Sequence, residues 1–185
     1  MRIAVFLFAC SLPLAASAAE PPAQQPWPKL QTLLDQLSHA DSPESAKPIE
    51  DKIGGLFLQS GSASVDLLMA RAGAAQAAGD KDTTKKLTEA ITSVAPDYAE
   101  GWHLRANAQR AAGDDSGAMV SLEHVILLNP RQFAAMYELG NMLEDYGNKA
   151  GALKLYMKAL ALDPQLEGAR KHVDALTRDV KGEDI

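Results

Sequence analysis

The sequence predicts an all-α protein, a solenoid of stacked helix hairpins, on three observations. Gly79, Gly113 and Gly147 recur every 34 residues. Pro96, Pro130 and Pro164 repeat with the same 34-residue period. Between these breakers the apolar residues fall at helical spacing, and no convincing strand pattern interrupts them.

Residues 1–18 read as a secretory signal peptide. Arg2 supplies the positive charge, Ile3 to Leu14 the apolar stretch, and Ala16-Ser17-Ala18 the small residues of a cleavage site. The apolar run is too short to be a good membrane span, and Pro13 disfavours an uncleaved anchor helix. Lipidation at Cys10 is the other alternative, opposed by the apolar character that continues past it. Cleavage near Ala18 would remove Arg2 and the chain's one cysteine, leaving a more acidic exported chain without a transmembrane segment. Residues 19–29 carry four prolines and read as an extended leader.

Residues 30–64 read as a divergent N-terminal helical cap. Leu30, Leu33, Leu34 and Leu37 form the apolar stripe of a helix from about Pro28 to Ser38. A second helix, carrying Ile49, Ile53, Leu56 and Phe57, runs to about Ser60. Pro48 is comfortable only in a first helical turn, which puts the N-cap of this helix at Ser45 rather than Ser42.

Three repeated units follow, at 65–98, 99–132 and 133–166. In each, a Gly-Asp or Gly-Asn turn closes one helix and opens the next, and the Pro ends the second helix. Leu104, Ala108 and Ala111, then Met119, Leu122, Val125, Ile126 and Leu128, mark the two helices of the second unit. Met136, Leu139 and Leu143, then Leu153, Tyr156, Leu160 and Leu162, mark those of the third. Residues 167–180 form an amphipathic C-terminal capping helix with Ala169, Val173 and Leu176 on one face, and 181–185 is a tail.

These units resemble the tetratricopeptide repeat (TPR) family. Met136, Leu139, Gly140, Leu143, Ala152, Tyr156, Ala159 and Pro164 stand at its signature places in the third unit. Trp102, Ala106, Ala118, Leu122 and Pro130 do so in the second. The first keeps Leu68, Ala72, Ala75, Gly79 and Pro96, with Thr84 and Thr88 where the family has Ala and an aromatic. The resemblance implies a TPR solenoid. Ala72, Ala106 and Gly140 would then lie where paired helices cross, and Ala118 and Ala152 where the second helix meets the next unit.

The resemblance also implies a non-catalytic protein-interaction module whose first helices line a concave groove for a peptide or helix. On that face it places His103, Asn107 and Arg110, then Tyr137, Asn141 and Glu144. The Lys and Arg residues by which some members grip a terminal carboxylate are replaced here by Met69, Gly73, Leu104, Ala134 and Glu138. Together with the export signal, the resemblance to small exported proteins of Gram-negative bacteria implies an adaptor or assembly factor in the periplasm. A structural subunit of a larger envelope complex, docked through its convex face, is the alternative.

Composition narrows the partners and the chemistry. The net charge of −6 comes with no basic block to neutralise a run of phosphates, which excludes nucleic acid as the expected partner. His39, His103, His124 and His172 show no metal-ligand spacing, and no nucleophile elbow or phosphate loop is present, so no metal, cofactor or catalytic residue is expected. A hydrolase would need converging titratable groups that the sequence does not display. Arg71 and Arg105 occupy a place that is normally Leu, and are expected to pair with Asp66, Asp97 or Glu100, or to grip an acidic ligand.

Overall fold

Each repeat turns at a glycine held in the left-handed region. Gly79, Gly113 and Gly147 have φ of 73°, 83° and 81°, where a Cβ is strained. The next residue caps the following helix: Asp80, Asp114 and Asn148 accept from the backbone N–H of Thr83, Gly117 and Gly151.

The computed structural model describes residues 27–182, and all its regular elements are helices. They are α1 (Trp27–Ser38), α2 (Pro43–Phe57), α3 (Ala63–Ala77), α4 (Lys81–Val94), α5 (Ala99–Ala112), α6 (Asp115–Leu128), α7 (Phe133–Asp145), α8 (Lys149–Leu162) and α9 (Ala169–Gly182). The expected signal peptide with Cys10, most of the leader and most of the tail lie outside the described residues.

The hairpins α3–α4, α5–α6 and α7–α8 stack in chain order, and α9 packs on α8. Their crossings depend on small residues: Ala72, Ala106, Ala118 and Ala152 are fully buried. At Gly140 a Cβ would sit 2.6 Å from Cε1 of Tyr156, so this crossing has no room even for a methyl group. In the first unit the two threonines are buried without penalty because Thr84 and Thr88 donate to the carbonyls of Asp80 and Lys85. Helix α9 starts two residues later than the sequence suggests, after Gly168 at φ 80°, and buries Ala169 and Leu176.

The N-cap of α2 is Ser42, not Ser45. The Ser42 hydroxyl accepts from the Ser45 backbone while the Ser45 hydroxyl accepts from the Ser42 backbone, a reciprocal capping box, and Pro43 takes the first helical position. Pro48 therefore lies inside the helix. It removes one donor to the carbonyl of Glu44, but both residues are exposed, so the site lies on the solvent side of the helix, where an orphaned carbonyl costs little.

The N-terminal pair α1–α2 is a cover, but not of α3. Leu30, Leu33, Leu34 and Leu37, with Ile53, Leu56 and Phe57, are buried in one cluster with Phe133, Met136 and Ala159 of the third repeat. Gln165 Nε2 donates to the Ala40 carbonyl at 2.9 Å, and Tyr98 Oη donates to that of Leu58 at 2.9 Å. The reason is apolar area. The outer face of α3 offers mostly small or polar residues, whereas α7 and α8 offer large side chains.

Candidate protein-binding groove

The first helices of the three repeats, α3, α5 and α7, converge at their C-terminal ends on an open recess of about 640 Å³. Gln76, Asn107, Arg110, Asp115, Asp145 and Tyr146 line it, with Ala111 and Met142. Its wall is polar and of mixed charge. Tyr146 stands 63% exposed at the end of α7, with its hydroxyl donating to Asp115 at 2.8 Å. Of the six residues expected on the groove, Asn107 and Arg110 face this recess. Tyr146, Asp115 and Asp145 belong to it as well, at helix ends where the repeat pattern places no groove contact. The available signal was a large aromatic immediately before the Gly147 turn, a position with no core to enter.

His103 is held below this recess by its own chain. Nδ1 lies 3.3 Å from Glu100 Oε2 and Nε2 lies 3.1 Å from Glu138 Oε1, with the imidazole side chain only 15% exposed. Gln132 donates to the other oxygen of Glu100, and Arg110 stands 4.0 Å from the second oxygen of Glu138. Burial alone would push the imidazole down, but the hydrogen bonds and charges of Glu100 and Glu138 outweigh it and carry His103 up to about 10. At neutral pH it is an imidazolium clamped between two carboxylates, joining α5 to α7. Glu138 is the acid one repeat further on, displaced by one residue, a spacing that the sequence does contain.

Tyr137, Asn141 and Glu144 are likewise engaged internally. The Tyr156 hydroxyl lies 2.7 Å from Asn141 Oδ1 and 2.8 Å from Glu144 Oε2, and His172 Nδ1 is 2.8 Å from the same Glu144 oxygen. The Tyr137 ring packs 5.6 Å from that of Tyr156 and edge-on to His172 at 6.0 Å. Gly140 allows Tyr156 to approach α7, and its hydroxyl then reaches Asn141 and Glu144. Burial first, and the Glu144 carboxylate second, push the Tyr156 phenol up, so it remains a donor. These side chains tie α7 to α8 and α9.

The expected pairing of Arg71 and Arg105 with acids is not what the structure holds. Arg71 is exposed, and no ion pair joins either arginine to a carboxylate among the described residues. Arg105 donates to Thr92 Oγ1 at 3.2 Å and lies over the Trp102 ring, 5.4 Å from its centroid. Trp102 is fixed in turn by its Nε1 donating to the Pro96 carbonyl and by stacking on His124 at 4.2 Å. A guanidinium half in water needs no carboxylate when a hydroxyl and an aromatic face are in reach.

Among the described residues no helix is long and apolar enough to cross a membrane. Residues 133–166 match the tetratricopeptide repeat family. A TPR repeat-containing protein of Rhizobium etli is 29% identical over 160 residues, covering 86% of this chain and 78% of its own. The Sgt2 TPR domain from Aspergillus fumigatus superposes with a TM-score of 0.58 at 21% identity, over 66% of this chain and 83% of that one. MamA gives a TM-score of 0.58 at 17% identity over 84% of both chains. The P58(IPK) TPR domain gives 0.58 at 18% identity, over 83% of this chain and 45% of that one. These matches support the tetratricopeptide repeat family, and the fold is that family's solenoid of stacked helix hairpins.

Proposed function

We propose that the protein is a non-catalytic adaptor or assembly factor of the bacterial envelope, exported to the periplasm, that holds a peptide or partner helix in the recess between α3, α5 and α7. A TPR fold points to a protein-interaction module. The observation that supports the groove is the recess itself: α3 contributes Gln76 and α5 contributes Asn107 and Arg110 to its open wall, with Arg110 4.0 Å from Glu138 of α7. Amide and guanidinium groups so placed suit the backbone carbonyls and acidic side chains of an extended chain. His103, Tyr137, Asn141 and Glu144 act behind this surface, holding the helices at their spacing.

A second reading has its own observation. The second helices expose Val94, Val120, Leu127 and Met157 at 63%, 51%, 77% and 57%, an apolar scatter on the convex side that a larger complex could cover. Partner capture by the wild type, Asn107→Ala/Arg110→Ala and Met157→Lys separates the two. The groove reading expects loss only with the double variant; loss only with Met157→Lys assigns the convex face instead. Sequencing the N-terminus of the protein recovered from the periplasm tests the export reading, which expects a start at or just after Ala19.

A further inference from the structure

The N-terminal helix reveals what kind of ligand the far end of its own solenoid accepts. In α1, Leu30, Leu33, Leu34 and Leu37 follow i, i+3, i+4, i+7 spacing and are all buried, while Lys29, Gln31, Thr32, Asp35 and Gln36 are exposed. A helix of 12 residues is marginal alone in water, so its order comes from the surface it lies on. That surface is built by Phe133 and Met136 of α7 and Ala159 and Leu162 of α8. It lies at the Pro-turn ends of the hairpins, opposite the polar recess, and does not depend on the groove reading.

The seam is complete in its apolar part and incomplete in its polar part. Asp163, directly after α8, is fully buried. Its Oδ1 accepts from the Gln165 backbone at 3.0 Å, just as Asn129 Oδ1 accepts from Arg131 one repeat earlier at 3.2 Å. The second repeat carries a neutral amide at this place and the third a carboxylate. Asp163 Oδ2 finds no donor but the carboxyl of Glu50, from α2, and that pair can hydrogen-bond only while one of the two keeps its proton. Burial, then the Asp163 charge, push the Glu50 carboxyl up; burial pushes Asp163 up too. The resident hairpin thus supplies the leucines this surface needs and the wrong charge for its buried acid.

We propose that the surface of Phe133, Met136, Ala159, Leu162 and Asp163 is a receptor site for an amphipathic partner helix with leucines at i, i+3, i+4 and i+7 and a basic side chain that reaches Asp163, with α1–α2 its resident occupant. A partner of this chemistry displaces the hairpin by matching its apolar stripe and replacing a carboxyl pair with an ion pair. The tether of residues 58–62 gives the resident hairpin a high effective concentration, so the site opens only to a better-matched ligand.

The test uses the full chain with its resident stripe weakened by Leu33→Ala/Leu34→Ala, and fluorescein-labelled peptides of residues 27–59 as ligands. The expected result is saturable anisotropy with the natural peptide and none with a Leu33→Asp/Leu34→Asp peptide. The Glu50→Lys peptide should bind roughly tenfold more tightly, and Asp163→Asn in the receptor should remove that gain. Asn at this place keeps the turn, as Asn129 does. If the double variant loses its cooperative thermal transition, Leu30→Ala takes its place as receptor. Absence of saturable binding to a cooperatively folded receptor, or a Glu50→Lys gain that survives Asp163→Asn, overturns the proposal.

Discussion

Two polar seams join parts of this molecule, and they are built on opposite principles. Between α5 and α7, His103 stands as a cation between Glu100 and Glu138, and Arg110 approaches the second Glu138 oxygen to 4.0 Å, so two cations meet two acids. Between α2 and the end of α8, Glu50 and Asp163 face one another as two carboxyls, which can hydrogen-bond only while one of them keeps a proton. The first arrangement resists separation, because opening it strands buried charge. The second opposes docking at neutral pH and leaves the apolar contacts to hold the hairpin. The repeats form the fixed frame, and the N-terminal hairpin is its removable part.

The largest effect should come from breaking the matched seam. His103→Gln leaves Glu100 and Glu138 without their cation and should lower unfolding stability by about 3–5 kcal/mol in urea titration. The wild type carries the same signature in its pH dependence. Because the folded imidazole is raised to about 10 from 6.5, its contribution is fully present below about pH 6.5 and lost as pH rises through 10. His103→Gln should flatten that decline.

Next comes the crossing on which Tyr156 depends. Gly140→Leu forces a side chain against the Tyr156 ring and should cost about 1–3 kcal/mol by overpacking, with loss of the hydroxyl's contacts to Asn141 and Glu144. Thermal melting by circular dichroism measures it. A Leu at this position with unchanged melting would mean that α7 and α8 do not approach as described.

A smaller effect, of opposite sign, is expected at the mismatched seam. Both carboxyls are raised in the folded state, so the folded chain holds protons that the unfolded chain releases; stability falls as pH rises through their raised values. Glu50→Gln should remove most of this dependence and stabilise docking by about 1 kcal/mol at neutral pH. Urea titrations of both proteins at acidic and neutral pH provide the comparison. Smallest of all, Asn107→Ala/Arg110→Ala should cost well under about 1 kcal/mol, since Asn107 lines open space and the half-exposed Arg110 only approaches Glu138 at 4.0 Å. A large loss of stability there would move them from the ligand side of the wall to its structural side.

The repeated core was legible in the sequence because its determinants are local. A glycine at positive φ, a capping side chain after it, and a proline 17 residues further on each act within one turn, and their 34-residue recurrence makes them conspicuous. The capping helix was readable for the same reason, through the apolar face of Ala169, Val173 and Leu176. What α1–α2 covers was not, because Leu30 and Met136, a hundred residues apart in the chain, share one buried cluster and an amphipathic stripe does not name its partner. Asn141 shows a second limit. Its place in the repeat marks it as a groove contact, and nothing local shows that the hydroxyl of Tyr156, fifteen residues on, reaches its oxygen. Pro48 shows a third: a strong capping box at Ser42 overrides a helix breaker that is exposed.

Amide hydrogen exchange on the full chain at neutral pH tests the division into frame and removable cover most directly. The buried amides of α1 and α2 should open with a lower free energy than those of α5–α8, and Glu50→Gln should raise protection in α1 and α2 alone. If α1 and α7 instead exchange together through global unfolding, in the wild type and in Glu50→Gln alike, the hairpin is an integral part of the solenoid and the division is wrong.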